Sequence, residues 1–253
     1  MKIIFKKILQ YYLKYITKLA LAVHRPIIVA IAGSTNKTFV KEEIAGALKN
    51  SGINTGSDPK SFNTEIGLPL AILGLPSGYN SYKNWLPAIL KAPFSVLRPD
   101  WPRVFVLEFG VSNRGDMKDL LSIAEPKVAV ITEISQRYLE SFNDMDELAE
   151  EYECLIKKIS KNGLVVLNND NLRVISMAGA AKTKVISFGF GNGADWQAIK
   201  TKGENNGQTV EIKHGNEMNR HEIKRFGEHH IYALLVGIIV KQYIKGLLPN
   251  EKK

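Results

Sequence analysis

The sequence predicts an α/β fold in which a parallel-rich sheet is flanked by helices. Three observations support this fold class. Short apolar runs alternate with segments of helical period, which is typical of parallel sheets covered on both faces. One of these runs leads directly into a Gly-Ser-Thr-Asn-Lys-Thr turn. The chain has 253 residues, 45% of them hydrophobic, which is enough for one large α/β domain or two small ones.

Residues 1–24 are predicted to form a basic amphipathic helix. Lys6, Lys14 and Lys18 recur at helical spacing, and apolar residues fill the opposite face. Lysines interrupt the apolar run too often for a transmembrane span. Two interpretations stay open: the apolar face packs on the rest of the protein, or the helix attaches to an anionic inner membrane surface.

Arg25-Pro26 ends this helix, and strands then alternate with helices. The predicted strands are residues 27–32, 104–107, 128–131, 164–167 and 184–188, and the predicted helices are residues 39–50, 146–160 and 229–244. Residues 76–103 contain five prolines and are predicted to form an irregular or helical excursion. Residues 195–225 are polar and partly alternating, which predicts a small antiparallel ribbon near the C-terminal part.

Composition excludes several classes of protein. The formal net charge is +9, but much of the excess lies in residues 1–25, which contain no acid. We find neither a basic groove with stacking aromatic residues nor a known reader motif, so we expect no nucleic-acid partner. The single cysteine, Cys154, excludes an internal disulfide and fits a reducing compartment. Without a visible secretory signal, we expect a cytoplasmic protein, peripheral at the inner membrane face if residues 1–24 bind lipid.

The segment 27–38 has the order that a phosphate-binding loop needs: a buried strand, a tight turn, a lysine-threonine pair and a helix. Backbone N–H groups of such a turn curl around a phosphate, and the helix N-terminus adds a partial positive charge. The predicted nucleotide-binding residues of the turn are Gly33, Ser34, Thr35, Asn36, Lys37 and Thr38. Asn36 stands where glycine is usual, and asparagine tolerates left-handed backbone geometry. The alternative is an ordinary strand-to-helix turn.

Six segments in order extend this pattern over residues 25–245. They are residues 33–38 with Lys41-Glu42; residues 63–69; residues 107–110 with Gly115-Asp116; residues 126–132 with Leu139-Glu140 and Phe142; residues 167–170; and residues 226–229 with Tyr232 and Leu235. Together they resemble the central domain of the Mur ligase family, whose members add amino acids to peptidoglycan precursors. Residues 63–69 are most similar to the type that adds D-alanyl-D-alanine.

The resemblance implies specific roles and cofactors. Residues 25–253 would be a central ATP-binding domain, with no C-terminal ligase domain, that uses ATP and Mg²⁺. Lys37 would contact the phosphates, and Thr38 and Glu108 would bind the metal, so Lys37 and Glu108 would be catalytic. The implied substrate residues are Asn63 and Thr64, and the implied adenine-side residues are His229 and His230. The implied partners are a nucleotide, a UDP-muramoyl-peptide and a partner chain that supplies a ligase domain.

Several positions depart from the family pattern. Tyr138 replaces a histidine that helps to hold a second magnesium ion, and Tyr152 falls where the family carbamylates a lysine. Glu133 replaces an asparagine, and His230 and Ala233 replace two asparagines that contact adenine. A neutral phenol cannot replace a carbamate as a ligand for a hard cation. The alternative function is therefore a catalytically inactive nucleotide-binding or scaffold domain derived from a Mur ligase.

Overall fold

The structure is a computed structural model that describes residues 3–58, 60, 62–79, 82–136, 141–204 and 206–248. It contains one mixed sheet with helices on both faces. The strands are β1 (Ile27–Ala32), β2 (Thr55–Ser57), β3 (Val104–Glu108), β4 (Val128–Ile131), β5 (Leu164–Asn168), β6 (Lys184–Gly189), β7 (Trp196–Glu204), β8 (Gly207–His214) and β9 (Glu217–Ile223). The helices are α1 (Ile3–His24), α2 (Lys37–Lys49), α3 (Gly67–Leu73), α4 (Tyr82–Ser95), α5 (Asp116–Leu121), α6 (Met145–Lys158), α7 (Leu172–Ser176) and α8 (Glu228–Leu247), with a 3₁₀ turn at Met177–Ala180.

The strand order confirms the predicted fold class and places the candidate site. The order is β2-β3-β1-β4-β5-β6-β7-β8-β9. The six strands β1 to β6 pair in parallel with their neighbours. Strands β7, β8 and β9 form the predicted antiparallel ribbon, which continues the same sheet because β7 pairs with β6. After β1 the chain forms β2 and β3 on one side of β1 and then crosses to form β4 on the other side. A crevice forms outside the carboxyl ends of parallel strands where the strand order reverses in this way.

Alternate residues of β1 enter two separate cores. Ile28 and Ala30 face a core shared with α1 and α3 to α7, whereas Val29 and Ile31 face a second core shared with α2 and α8. Side chains of a strand alternate between the two faces of a sheet, so a run that is apolar throughout fits a strand covered on both sides.

Helix α8 is a core element. Among the described residues it is the one helix long and apolar enough to cross a membrane by length and composition. Its buried residues, among them Leu235, Val236 and Val240, pack in the second core together with residues of α2. A helix that is apolar on most sides is expected at such a buried position.

Helix α1 packs against α3 and α4. Leu9, Leu13 and Ala20 are buried, so part of its apolar face packs on the rest of the protein. Ile4, Ile8 and Leu19 belong to the predicted apolar face but remain exposed. The apolar arc is thus wider than the contact with α3 and α4. The division of the chain into residues 1–24 and 25–253 stays a prediction.

The sequence did not predict β2, α3, α5 or α7. These elements have three, seven, six and five residues. Periodicity needs a longer window to distinguish a helix from a strand. Within the excursion at residues 76–103, α4 is helical despite Pro87 and Pro93.

Candidate nucleotide-binding site

The predicted phosphate loop lies between β1 and α2 and is fixed against the segment after β4. Gly33 has a φ of +133°, and a Cβ atom there would lie 2.2 Å from Thr132 Oγ1 and 3.0 Å from the backbone N and O of Glu133. The Ser34 N–H donates to the Glu133 carbonyl at 2.7 Å, and the Thr132 hydroxyl donates to the Thr35 carbonyl at 2.7 Å. Only glycine fits at position 33, because both the φ angle and the contact exclude a side chain.

Gly33→Ala is expected to lower the free energy of unfolding by about 3 kcal/mol, because left-handed strain adds to a steric clash. The matched control is Gly46→Ala in α2, where a Cβ would meet nothing within 4 Å. This control is expected to raise stability by about 0.5–1 kcal/mol, since alanine is the better helix former. Urea denaturation of both variants measures the difference. Equal changes in unfolding free energy for the two variants would show that the loop accommodates a Cβ atom at position 33.

Asn36 adopts the left-handed geometry that the sequence required of it, with φ 62° and ψ 1°. It immediately precedes α2, and its side chain makes no capping hydrogen bond. The first N–H groups of a helix have no partner within the helix. The first N–H groups of α2 therefore lie directly at the loop. There they and the helix dipole would stabilise an anion.

Lys37 turns its ammonium group back towards the loop. The Lys37 side chain is largely buried, and its Nζ donates to the Gly33 carbonyl at 2.6 Å. A positive charge is thereby held at the mouth of a turn rich in N–H donors, an arrangement that suits a phosphate group.

Glu108 lies beside the loop because β3 pairs with β1, with Ile31 opposite Glu108. The Thr38 hydroxyl donates to Glu108 Oε1 at 3.0 Å. Lys41 Nζ lies 2.8 Å from the same oxygen, and the Lys41 and Glu108 side chains are each 3% exposed. A buried carboxylate needs such a partner, since an unpaired charge in the interior is costly.

The two oxygens of Thr38 and Glu108 fit a magnesium ion. Two ligands on adjacent corners of an octahedron with metal–oxygen distances of about 2.1 Å lie about 3 Å apart, which is the separation of the hydroxyl and carboxylate oxygens. Magnesium is commonly bound by one or two protein oxygens together with substrate phosphates and water. Within the described ranges no group of three or more His, Cys, Asp or Glu residues could hold a metal ion.

The predicted substrate residues lie next to Glu108. The Gly110 N–H donates to the Asn63 carbonyl at 3.0 Å, and a Cβ at Gly110 would lie 2.6 Å from Asn63 Cγ. Gly110 thus lets the Asn63 side chain approach the end of β3. Thr64 is exposed, and its Oγ1 accepts the Gly67 N–H at the start of α3. The substrate roles of Asn63 and Thr64 stay predictions.

A polar cleft of about 490 Å³ adjoins the loop on its other side. It is lined by Asn36, Glu133, Asn168, Asp170, Asn171, Glu228, His229 and Tyr232. His230 lines a different cleft with Phe39 and Ala233. Consecutive helix residues point about 100° apart. The structure therefore brings His229, and not His230, to the cleft beside Asn36. Burial lowers the pKa of His230 below its usual value, and electrostatic interactions with His229 and Arg225 lower it further.

Comparison with known proteins identifies the family that carries this geometry. A family model described as the Mur ligase middle domain matches residues 31–241. The chain belongs to the Mur ligase family. The expected resemblance is thus confirmed.

Curated relatives and solved structures of the Mur ligase family agree with this assignment. The chain is 25% identical over 224 residues to the UDP-N-acetylmuramoyl-tripeptide–D-alanyl-D-alanine ligase of Bacillus subtilis, which covers 88% of this chain and 42% of that protein. The crystal structure of the MurF ligase from Thermotoga maritima in complex with ADP matches with a TM-score of 0.76 and 21% identity, over 93% of this chain and 49% of that one. MurF from Acinetobacter baumannii gives a TM-score of 0.75 at 17% identity, over 93% and 47% of the two chains. The chain spans less than half the length of these relatives.

Within this Mur ligase domain, Asp170 and Tyr232 are functional candidates that the sequence alone did not reveal. Asp170 accepts hydrogen bonds from the Phe190 and Gly191 N–H groups at 2.6 and 2.7 Å and from the Tyr232 hydroxyl at 2.7 Å. The carboxylate thus ties the start of α8 to the turn after β6, along one wall of the cleft. The signal was present, since Asp170 ends the fifth matching segment and Tyr232 belongs to the sixth. Burial, then the hydrogen bond to Asp170, raise the pKa of Tyr232 well above its usual value of 10.0.

The raised pKa of Tyr232 predicts a loss of stability in alkali. In the pH range above about 10, the unfolded chain releases this phenolic proton while the folded chain retains it. The stabilisation is therefore complete below that pH and decreases as the pH rises. Tyr232→Phe is expected to reduce the slope of unfolding free energy against pH in this range, as measured by urea denaturation at several pH values. Burial also raises the pKa of Tyr243, so Tyr243→Phe is measured for comparison. An unchanged slope in Tyr232→Phe together with a reduced slope in Tyr243→Phe would assign the alkaline transition to Tyr243.

The departures from the family pattern differ in their surroundings. Tyr152, on α6, is fully buried in the core that also contains Phe109 and Phe142. Glu133 lines the cleft, and its carboxylate accepts a hydrogen bond from the Thr35 hydroxyl. Tyr138 and the Leu139-Glu140 pair lie outside the described residues.

Proposed function

We propose that this chain binds ATP with Mg²⁺ at residues 33–38 and serves in the ATP-dependent ligation of a carboxylate to an amine during peptidoglycan precursor synthesis, of the type that adds D-alanyl-D-alanine. One observation carries the proposal. The Thr38 hydroxyl and the Glu108 carboxylate meet at 3.0 Å beside the loop into which Lys37 points.

The side chains around the loop have distinct tasks in this proposal. Thr38 and Glu108 would hold Mg²⁺, which neutralises the charge of the phosphates. Lys37 and the N–H groups at the start of α2 would bind and orient the transferred phosphoryl group, the main task of a protein in phosphoryl transfer. Lys41 keeps the Glu108 carboxylate in place. Asn63, against Gly110, would face the carboxylate of the precursor, and His229 would lie on the nucleoside side.

Relatives of which this chain covers less than half support this function. The Bacillus subtilis relative is named as a ligase that joins D-alanyl-D-alanine to a UDP-muramoyl-tripeptide, and the Thermotoga maritima neighbour was solved with ADP. These names favour a ligase over the catalytically inactive alternative. A UDP-muramoyl-peptide substrate, a partner chain that supplies a ligase domain and a cytoplasmic location are parts of the proposal.

A titration and a turnover assay test the proposal in sequence. Calorimetric titration with ATP is expected to show binding that strengthens when Mg²⁺ is present. Phosphate release is then measured with ATP, Mg²⁺, the UDP-muramoyl-tripeptide and D-alanyl-D-alanine, and omission of either acceptor is the control. If ATP with Mg²⁺ does not bind, the proposed nucleotide site at residues 33–38 is contradicted. ATP binding without phosphate release, both for this chain alone and after addition of the C-terminal ligase domain of a relative, would favour the non-catalytic alternative.

A further inference from the structure

Two helices carry most of the exposed large apolar side chains. More than half of those among the described residues lie on α1 or on α4 and the turn that follows it. On α1 they are Ile4, Ile8, Tyr11, Tyr15, Leu19 and Val23, and on the α4 side they are Leu86, Leu90, Phe94 and Leu97. We name this set the two-helix face. Scattered exposed apolar residues are normal, but an extended group of them marks an interaction surface.

Each part of the two-helix face forms a stripe. The positions on α1 recur every three or four residues, so they lie on one side of the helix. From residue 4 to residue 23 this stripe extends about 28 Å at 1.5 Å per residue. The positions on the α4 side recur in the same way. Four apolar residues in such a register are not expected of a helix face that water contacts.

Hydrogen bonds join α1 to α4 between the two exposed stripes. The Tyr12 hydroxyl donates to the Ile89 carbonyl at 2.8 Å, and His24 Nε2 lies 2.7 Å from the Val96 carbonyl. Four of the ten exposed residues are chain neighbours of these four residues. Tyr11 precedes Tyr12, Val23 precedes His24, and Leu90 and Leu97 follow Ile89 and Val96. The two stripes therefore flank the contact between α1 and α4.

The charged residues within α1 and α4 are all positive. Neither residues 3–25 nor residues 82–98 contain an aspartate or glutamate. Lys18, Lys83 and Lys91 are exposed on the two helices. Lys7 and Lys14 share a cleft with Glu65 and Asp119, so their charges are partly balanced. An apolar stripe edged by lysines matches an anionic lipid surface, where apolar side chains enter the boundary of the acyl chains and ammonium groups meet the headgroups.

We propose that the two-helix face binds the surface of an anionic lipid bilayer. Helix α1 lies on the membrane and does not cross it, because the side of α1 opposite the exposed stripe is buried in the core through Leu9, Leu13 and Ala20. Both α1 and α4 take part, so the site is larger than the amphipathic helix that the sequence predicted. Such attachment would hold the domain with the proposed nucleotide site at the membrane surface.

Co-sedimentation of the full chain with vesicles tests this binding. Vesicles of phosphatidylcholine alone are compared with vesicles that also contain phosphatidylglycerol. Strong binding is expected only to the anionic vesicles, and it is expected to weaken as salt is raised. Failure to sediment with anionic vesicles, or equal binding to neutral vesicles, would overturn the proposal.

Matched variants locate the binding surface. Ile8→Ser with Phe94→Ser is expected to lower the partition onto anionic vesicles by about tenfold or more, since two exposed apolar side chains are lost. Leu172→Ser with Met218→Ser removes two exposed apolar side chains elsewhere and is expected to change nothing. Lys18→Gln with Lys83→Gln is expected to weaken binding several-fold, whereas Lys202→Gln with Lys213→Gln is the corresponding control. Equal loss in the test and control pairs would overturn the assignment to this face.

Gel filtration distinguishes the lipid surface from a second copy of the chain. If the wild type elutes as a dimer and the Ile8→Ser, Phe94→Ser variant as a monomer, the face is a dimer interface and the proposal is overturned. Monomeric elution of both supports the lipid surface. The ATP titration is expected to be the same for all these variants, because none of the substituted residues lies in the nucleotide site, so failure here leaves the proposed function unaffected.

Discussion

Lys41→Met is expected to lower the free energy of unfolding by about 3–5 kcal/mol, because it removes the ammonium group that pairs with the buried Glu108 carboxylate. The 2.8 Å ion pair has only 3% of either side chain exposed, so water cannot replace the lost ammonium group. The lost hydrogen bond from Lys41 Nζ to the Lys60 carbonyl adds to the effect. Chemical denaturation followed by circular dichroism measures it.

Two further variants separate charge from packing. Lys49→Met changes an exposed lysine at the end of the same helix and is expected to alter stability by less than about 0.5 kcal/mol. The double variant Lys41→Met with Glu108→Gln is expected to recover a large part of the loss, since neutral groups replace the whole pair. No recovery in the double variant would show that the cost arises from packing.

Lys37→Ala is expected to weaken the binding of ATP with Mg²⁺ by on the order of 30-fold. A charge-assisted hydrogen bond to phosphate contributes about 2 kcal/mol, and each 1.4 kcal/mol changes the dissociation constant tenfold. Lys37 is the basic residue that turns towards the loop, through the Gly33 carbonyl at 2.6 Å. Calorimetric titration of wild type and variant gives the ratio.

The matched control for Lys37→Ala is Lys49→Ala, at the opposite end of α2. It is expected to bind ATP as the wild type does. The free energy of unfolding of both variants is measured as well, so that a folding defect is not mistaken for lost binding. Wild-type affinity in a folded Lys37→Ala protein would contradict the assignment of the phosphate site to residues 33–38.

The sequence was most informative about features encoded within short segments. The buried strand, the turn and the helix of residues 27–38 were predicted in the right order, because apolar runs and helix starts depend on adjacent residues. The tolerance of Asn36 for left-handed backbone was predicted from its residue type. Ordered segments along the chain were also sufficient to suggest the family. Short elements such as β2 were missed because three residues carry no period.

The tertiary structure decided how distant residues meet. The resemblance implied that Thr38 and Glu108, seventy positions apart, share a metal, and their oxygens come together because β3 pairs with β1. The contact of Gly33 with Thr132 arises because β4 pairs with β1 on the other side, and nothing in the sequence predicted it. The rotation of α8 decided that His229, rather than His230, lines the cleft beside Asn36. The contact between α1 and α4 decided which apolar residues stay in water. Local patterns arise from neighbours in the chain, whereas these contacts depend on strand order and helix packing, which no short segment determines by itself.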